Sequence, residues 1–199
     1  MTAAVWIQAD TIWSPSIIEV DELADYQSLV DGWVEALQVP SLGITIFVNE
    51  EGRLRRLKFN ARASLLWWHR TPDARSQMIC GDAVIVGAPD ASGKATDAPG
   101  DLVTMLTEDG LFAVLVKIPY EDQGVYVDPV TGTSNHVVPL PPSMEGWYVC
   151  QGMYPDYFSA AVWAMLIEER WAAVDDTKVV SVAGMEHLFP SFMKRRSTD

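Results

Sequence analysis

The chain is short of the residues from which catalytic and metal centres are usually built. Among its 199 residues are two cysteines and three histidines. Cys80 and Cys150 lie far apart, with no C-x-x-C pair and no histidine at ligand spacing, so neither a disulfide framework nor a zinc site is indicated. The plainer reading is two buried thiols. His69, His136 and His187 are scattered, and only His69-x-x-x-Asp73 and Glu186-His187 set a carboxylate near an imidazole. A G-x-S-x-G elbow is missing, and neither cysteine has a basic neighbour to lower its pKa. Glu50-Glu51 and Asp175-Asp176 are paired carboxylates, but both fall at predicted turns or helix ends, where a solvated acid needs no catalytic explanation. The expectation is a protein that is not an enzyme, with no catalytic residues, no cofactor and no metal.

Long apolar runs are also lacking. The longest, near Leu111 to Ile118, is interrupted by Lys117 and falls far short of the roughly 20 residues that span a bilayer. No basic residue precedes Arg53, so the charged start of a secretory signal is not seen. These features predict a cytoplasmic protein without membrane contact. Positive charge is scarce overall: 14 Lys and Arg against 27 Asp and Glu give a net charge of −13, which argues against general nucleic-acid binding. With 49% hydrophobic residues, the chain has ample material for a core.

Against that acidic background, half of the Lys and Arg fall between Arg53 and Arg75, with Asp73 the one acid among them. Arg53, Arg55, Arg56, Lys58 and Arg62 are therefore candidate binding residues for an anion, joined by Asn60 and by the adjacent Trp67 and Trp68. The competing reading is that the charges are solvated faces of a strand and a helix. Two adjacent tryptophans on a helix cannot both face inward, which sends at least one to a domain contact or a partner surface.

The pattern along the chain predicts an α+β fold: a mixed or mainly antiparallel sheet with hairpins, a few short helices and one long C-terminal helix. Strands are expected at 3–9, 17–20, 33–39, 44–48, 79–87, 111–119, 125–127, 147–150 and 178–183. A helix capped by Asp21 carries Leu23, Tyr26, Leu29 and Val30. The Asn49-Glu50-Glu51-Gly52 stretch predicts a hairpin turn closed by Gly52 at positive φ, with a return strand bulged at Arg55-Arg56. Asn60 is placed to cap a helix to about Trp68 whose apolar face is Ala61, Leu65 and Trp68. Pro155 suits the first turn of a helix running to about Ala173, and Met185 to Phe189 a short helical turn before the Lys194-Arg195-Arg196 tail. The APDASGKATDAPG segment, 88–100, has no large apolar residue, and its Gly-Lys pair fails the phosphate-loop spacing. It marks a division into a domain at 1–100 and a second region at 101–199.

Three elements, LVDGWVEAL (29–37), FVNEEGRLRRLKFNARA (47–63) and ICGDAVIVG (79–87), resemble in their order a family of small proteins of unknown function encoded by phages of actinobacteria. The resemblance covers about 17–100. It implies a phage or prophage origin and a small α+β fold, and brings no reaction, cofactor or catalytic residue. Two functional expectations follow. One is an accessory protein that binds a host macromolecule without catalysis, in host takeover or anti-defence, for instance as an acidic decoy; the chain's eight tryptophans favour it. The alternative is a small-ligand binder in which the basic stretch 53–75 contacts an anionic nucleotide and a tryptophan stacks on its base.

Overall fold

The computed structural model describes residues 1–119, 145–150 and 152–183, and three two-residue strands at 126–127, 134–135 and 138–139. The chain divides into two compact units, Met1–Glu108 and Asp109–Asp199. The predicted turn at 121–124, the TGTSN and PLPPS segments apart from those short strands, the 185–189 helical turn, the 194–196 tail, His136 and His187 lie outside the described residues.

The first unit is built on a five-stranded sheet. Its strands are β1 (Thr2–Ile7), β2 (Ser16–Val20), β3 (Val34–Val39), β4 (Ile44–Asn49) and β5 (Ala83–Gly87), in the order β2-β1-β5-β4-β3. Every neighbouring pair is antiparallel. Side chains alternate between two faces. Ala4, Val84 and Val86 with Val20 form one buried face, packed against Tyr26 and Val30 of α1 (Leu23–Val30). Val5, Ile7, Ile44, Ile46 and Ile85 form the other buried face. Both faces being covered explains why β5, AVIVG, is buried at every position and reads as an unbroken apolar run.

Helix α1 starts one residue later than predicted, because the Asp25 carboxylate folds back to accept from the amides of Asp21 and Glu22 at 2.8 and 2.9 Å. Leu23 is consequently turned to solvent. At the other end Asp31 takes the left-handed conformation, φ 58°, and the Gly32 amide donates to the Gln27 carbonyl.

The Asn49–Gly52 turn does not form a hairpin. Both edges of β4 are already occupied, by β3 and β5, so no return strand can pair with it. The chain winds instead through a helical turn in which the Arg55 amide donates to the Glu51 carbonyl and the Leu57 amide to that of Gly52. Arg56, φ 55°, ends the turn in the left-handed region. The three-residue spacing of Leu54 and Leu57 is thus helical, and no bulge is involved. Gly52 is required for a reason other than positive φ: a Cβ there would run into the Cys80 carbonyl oxygen.

Asn60 caps α2 (Ala61–Arg70) as predicted, its side chain accepting from the Ala63 amide at 3.0 Å. The buried face of α2 is not the predicted one. Ala63, Ser64, Leu66, Trp67 and His69 turn inward, while Ala61, Leu65 and Trp68 are half-buried. The 88–100 loop bridges back to the sheet at Thr96, and α3 (Gly100–Thr107) completes the unit.

In the second unit β6 (Phe112–Lys117) lies between β10 (Trp147–Val149) and β11 (Asp176–Ser181), with β9 (Val138–Pro139) beyond β10. Strands β7 (Tyr126–Val127) and β8 (Ser134–Asn135) pair separately. Helix α4 (Tyr157–Arg170) is 14 residues long, starting two residues after Pro155, with Asp156 as its cap, and ending before the predicted Ala173. Its buried side is rich in alanine (Ala160, Ala161, Ala164), and it packs on β6 and β11. Among the described residues no helix is long and apolar enough to cross a membrane.

Candidate functional site: the open edge of the first sheet

The fold disperses the basic segment. Arg55 turns toward the end of α1, where its guanidinium pairs with the Asp31 carboxylate at 2.6 Å and donates to the Asp31 carbonyl. Asn49, buried beside it, donates to the Val30 and Asp31 carbonyls at 3.0 and 2.8 Å. Between them they satisfy carbonyls that the last turn of a helix leaves without intrahelical partners. Lys58 pairs with Asp10 at 3.0 Å, and Arg62 donates to the Trp13 carbonyl at 2.6 Å, tethering the β1–β2 loop. Arg53 and Arg56 are exposed and form no ion pair among the described residues. Asn60, 1% exposed, donates to the Ile7 and Gly81 carbonyls at 2.9 and 3.0 Å, joining the end of β1, the entry to β5 and the start of α2.

The two adjacent tryptophans take different environments, both within the first unit. Trp67 is buried, 8% exposed, whereas Trp68 is half-buried, stacks on Phe59 with ring centroids 6.1 Å apart, and donates from its indole N–H to the Gln77 carbonyl at 2.8 Å. His69 is buried on the same helix. Loss of solvent, and then the charges of Arg70 and Arg75, lower its pKa to about 3, so it is neutral at pH 7. Cys80 is half-buried, and burial pushes the Cys150 thiol up to about 12. Among the described residues no three of His, Cys, Asp and Glu are placed to hold a metal ion.

Of the two strands that edge the sheet, β2 and β3, it is β3 that borders a groove. This strand ends the sheet and pairs with β4 alone. The Glu50 amide donates to the Trp33 carbonyl, which fixes the phase of the ladder. Trp33, Glu35 and Leu37 turn their backbone groups toward β4, so those of Val34, Ala36 and Gln38 face away from the sheet. Glu35, Ala36 and Gln38 are exposed, and Trp33, at 67%, is among the most exposed large side chains. Beside the strand, on the α2 face, is a groove of about 190 Å³. Leu37, Val48, Trp67, Met78 and Ile79 supply its apolar lining, and Glu35, Glu50 and Arg53 its charges. Of the predicted site residues Arg53 and Trp67 line it. Glu35, Leu37 and Met78 were missed, and no local sequence signal marks them.

A second cleft of about 310 Å³ lies at the end of α1, lined by Asp10, Asp31, Asp82 and Lys58 among others. Its charged groups are largely engaged within the fold: Asp10 with Lys58, Asp31 with Arg55, and Asp82 with the Ala9 amide at 2.8 Å.

Residues 1–110 match the DUF3846 family, described as a domain of unknown function. The chain belongs to this family. The match takes in the whole five-stranded sheet, both flanking helices and the groove. No curated protein and no solved structure matches the chain.

Proposed function

We propose that this is a phage or prophage accessory protein that binds a host protein without catalysis, and that the free edge of β3 with its adjoining groove is the binding surface. One observation carries the reading. A regular six-residue edge strand borders a groove that joins charged and apolar side chains, the arrangement in which an extended segment can add to a sheet while its alternate side chains enter a pocket. Sheets usually protect such edges with lysine, inward charges or bulges. Here all six residues of β3 pair in register with β4, and the strand contains neither lysine nor proline, its one charge being Glu35 on the groove face. The exposed Trp33 at its start adds the kind of side chain that dominates binding surfaces.

The test removes the edge while leaving the fold. Ala36→Pro deletes an outward-facing N–H, a position where an edge strand tolerates proline. Proteins that co-purify with the full chain from a phage host are expected to be lost with Ala36→Pro while the circular dichroism and melting temperature are retained. Partners held at the wild-type level by this variant would overturn the assignment of the surface.

The anionic-nucleotide reading draws less support, since Arg55 and Lys58 each already face a carboxylate. A concentration-dependent rise in melting temperature with a nucleotide would revive it.

A further inference from the structure

Resting on the strand-addition reading, we infer that the occupant of the β3 edge is an extended segment of a foreign protein carrying Lys or Arg opposite Glu35 and an apolar side chain two residues away, opposite Leu37. Residues two apart on a strand share a face, and directly opposed residues on adjacent strands point the same way. Glu35 and Leu37 both line the groove, so an added strand presents two alternate side chains to it. The one opposite Leu37 meets Leu37, Trp67 and Met78, of which Trp67 is buried and Met78 is 48% exposed. The one opposite Glu35 meets a carboxylate with no ion pair among the described residues. Glu50 adds a second carboxylate and Arg53 one cation, leaving the groove one negative charge in excess. The net charge of −13 on the whole chain acts in the same direction.

The same geometry disfavours a second copy of this chain. In a two-fold antiparallel pairing of β3 with itself, residues of one face oppose residues of that face. Glu35 then lies opposite Leu37, Val39 or the other Glu35, depending on register. None of these is a cation, and the last sets two like charges directly opposite.

The experiment is peptide display on the immobilised full chain, followed by fluorescence anisotropy of selected peptides. The expected result is enrichment of Lys or Arg two positions from Leu, Ile, Val, Phe or Met. Binding should be blocked by Ala36→Pro and weakened about tenfold by Glu35→Lys, with recovery when the peptide cation is changed to Glu. Peptides that Ala36→Pro blocks, yet that show no charge selection and no response to Glu35→Lys, would overturn this inference and leave the strand-addition reading standing. Failure to select any peptide sensitive to Ala36→Pro would overturn both. A concentration-dependent dimer in light scattering that Ala36→Pro abolishes would make the occupant a second copy, against the inference.

Discussion

Two polar regions flank α2, and they use their charge in opposite ways. Between Arg55 and His69 most polar side chains, Arg56 excepted, are committed to the fold: Arg55, together with Asn49, closes α1, Lys58 and Arg62 hold the β1–β2 loop, Asn60 joins three elements, and His69 is buried neutral. At the β3 groove Glu35, Glu50 and Arg53 have no ion pair among the described residues, although all three are as polar as the first set. Local density of charge in a sequence therefore says little about which charged groups the fold leaves open. What distinguishes the regions is whether each group's partner is already within the chain.

The comparison is broken most severely at Asn60. Asn60→Ala removes two donors and one acceptor from a site that is 1% exposed, and the loss of the cap adds to the unpaired groups. A destabilisation of about 4 kcal/mol is expected in urea unfolding. A value near that of an exposed asparagine would show that this region is not committed to the fold as described.

His69 supplies the next largest effect through pH. Its folded pKa, about 3, lies below the unfolded value of 6.5, so the unfolded state binds more protons between these limits. The stability contribution is full above about pH 6.5 and is lost as pH falls, by about 1.4 kcal/mol per unit, or about 3 kcal/mol by pH 4. Unfolding measured from pH 7 to 4 should lose this part of its slope in His69→Gln, whatever that variant's stability at pH 7. An unchanged slope would mean that the imidazole is not held neutral.

These residues also show what the sequence made legible. The alternation of Ile44, Ile46 and Val48 located β4, and Asn60 followed by a helical stretch located α2, because each signal is local. The 49–57 segment was misread since Asn-Glu-Glu-Gly suits a hairpin as well as a helical turn. The choice between them depends on β5 occupying the far edge of β4, a pairing between segments well separated in the chain. The buried face of α2 was misassigned for a related reason: Ser64 and His69 turn inward because the Ile79 amide donates to Ser64 and the surroundings keep the imidazole neutral. The groove was not legible because Glu35 and Leu37 lie on one strand, Trp67 on a helix and Met78 in an irregular segment, and only the folded sheet brings them together.

Arg55 gives a smaller effect, and a sharper one. Its ion pair with Asp31 is largely open to water, the two side chains being 37% and 76% exposed, so Arg55→Ala should cost about 1 kcal/mol, whereas an uncommitted Arg56→Ala should stay within about 0.5 kcal/mol. If the two changes prove equal in chemical denaturation, the Arg55 clasp adds nothing to the end of α1.

At the groove the expected stability effect is smallest. Glu35 is exposed on an edge strand and forms no ion pair among the described residues, so Glu35→Gln should leave the melting temperature unchanged within about 1 °C, corresponding to a few tenths of a kcal/mol. A drop of several degrees would mean that the carboxylate is engaged within the fold, as those of Asp10 and Asp31 are. The contrast between a basic segment consumed by folding and an acidic groove left open would then disappear, because both regions would be structural. With stability unchanged, any loss of partner binding in Glu35→Gln belongs to the surface itself.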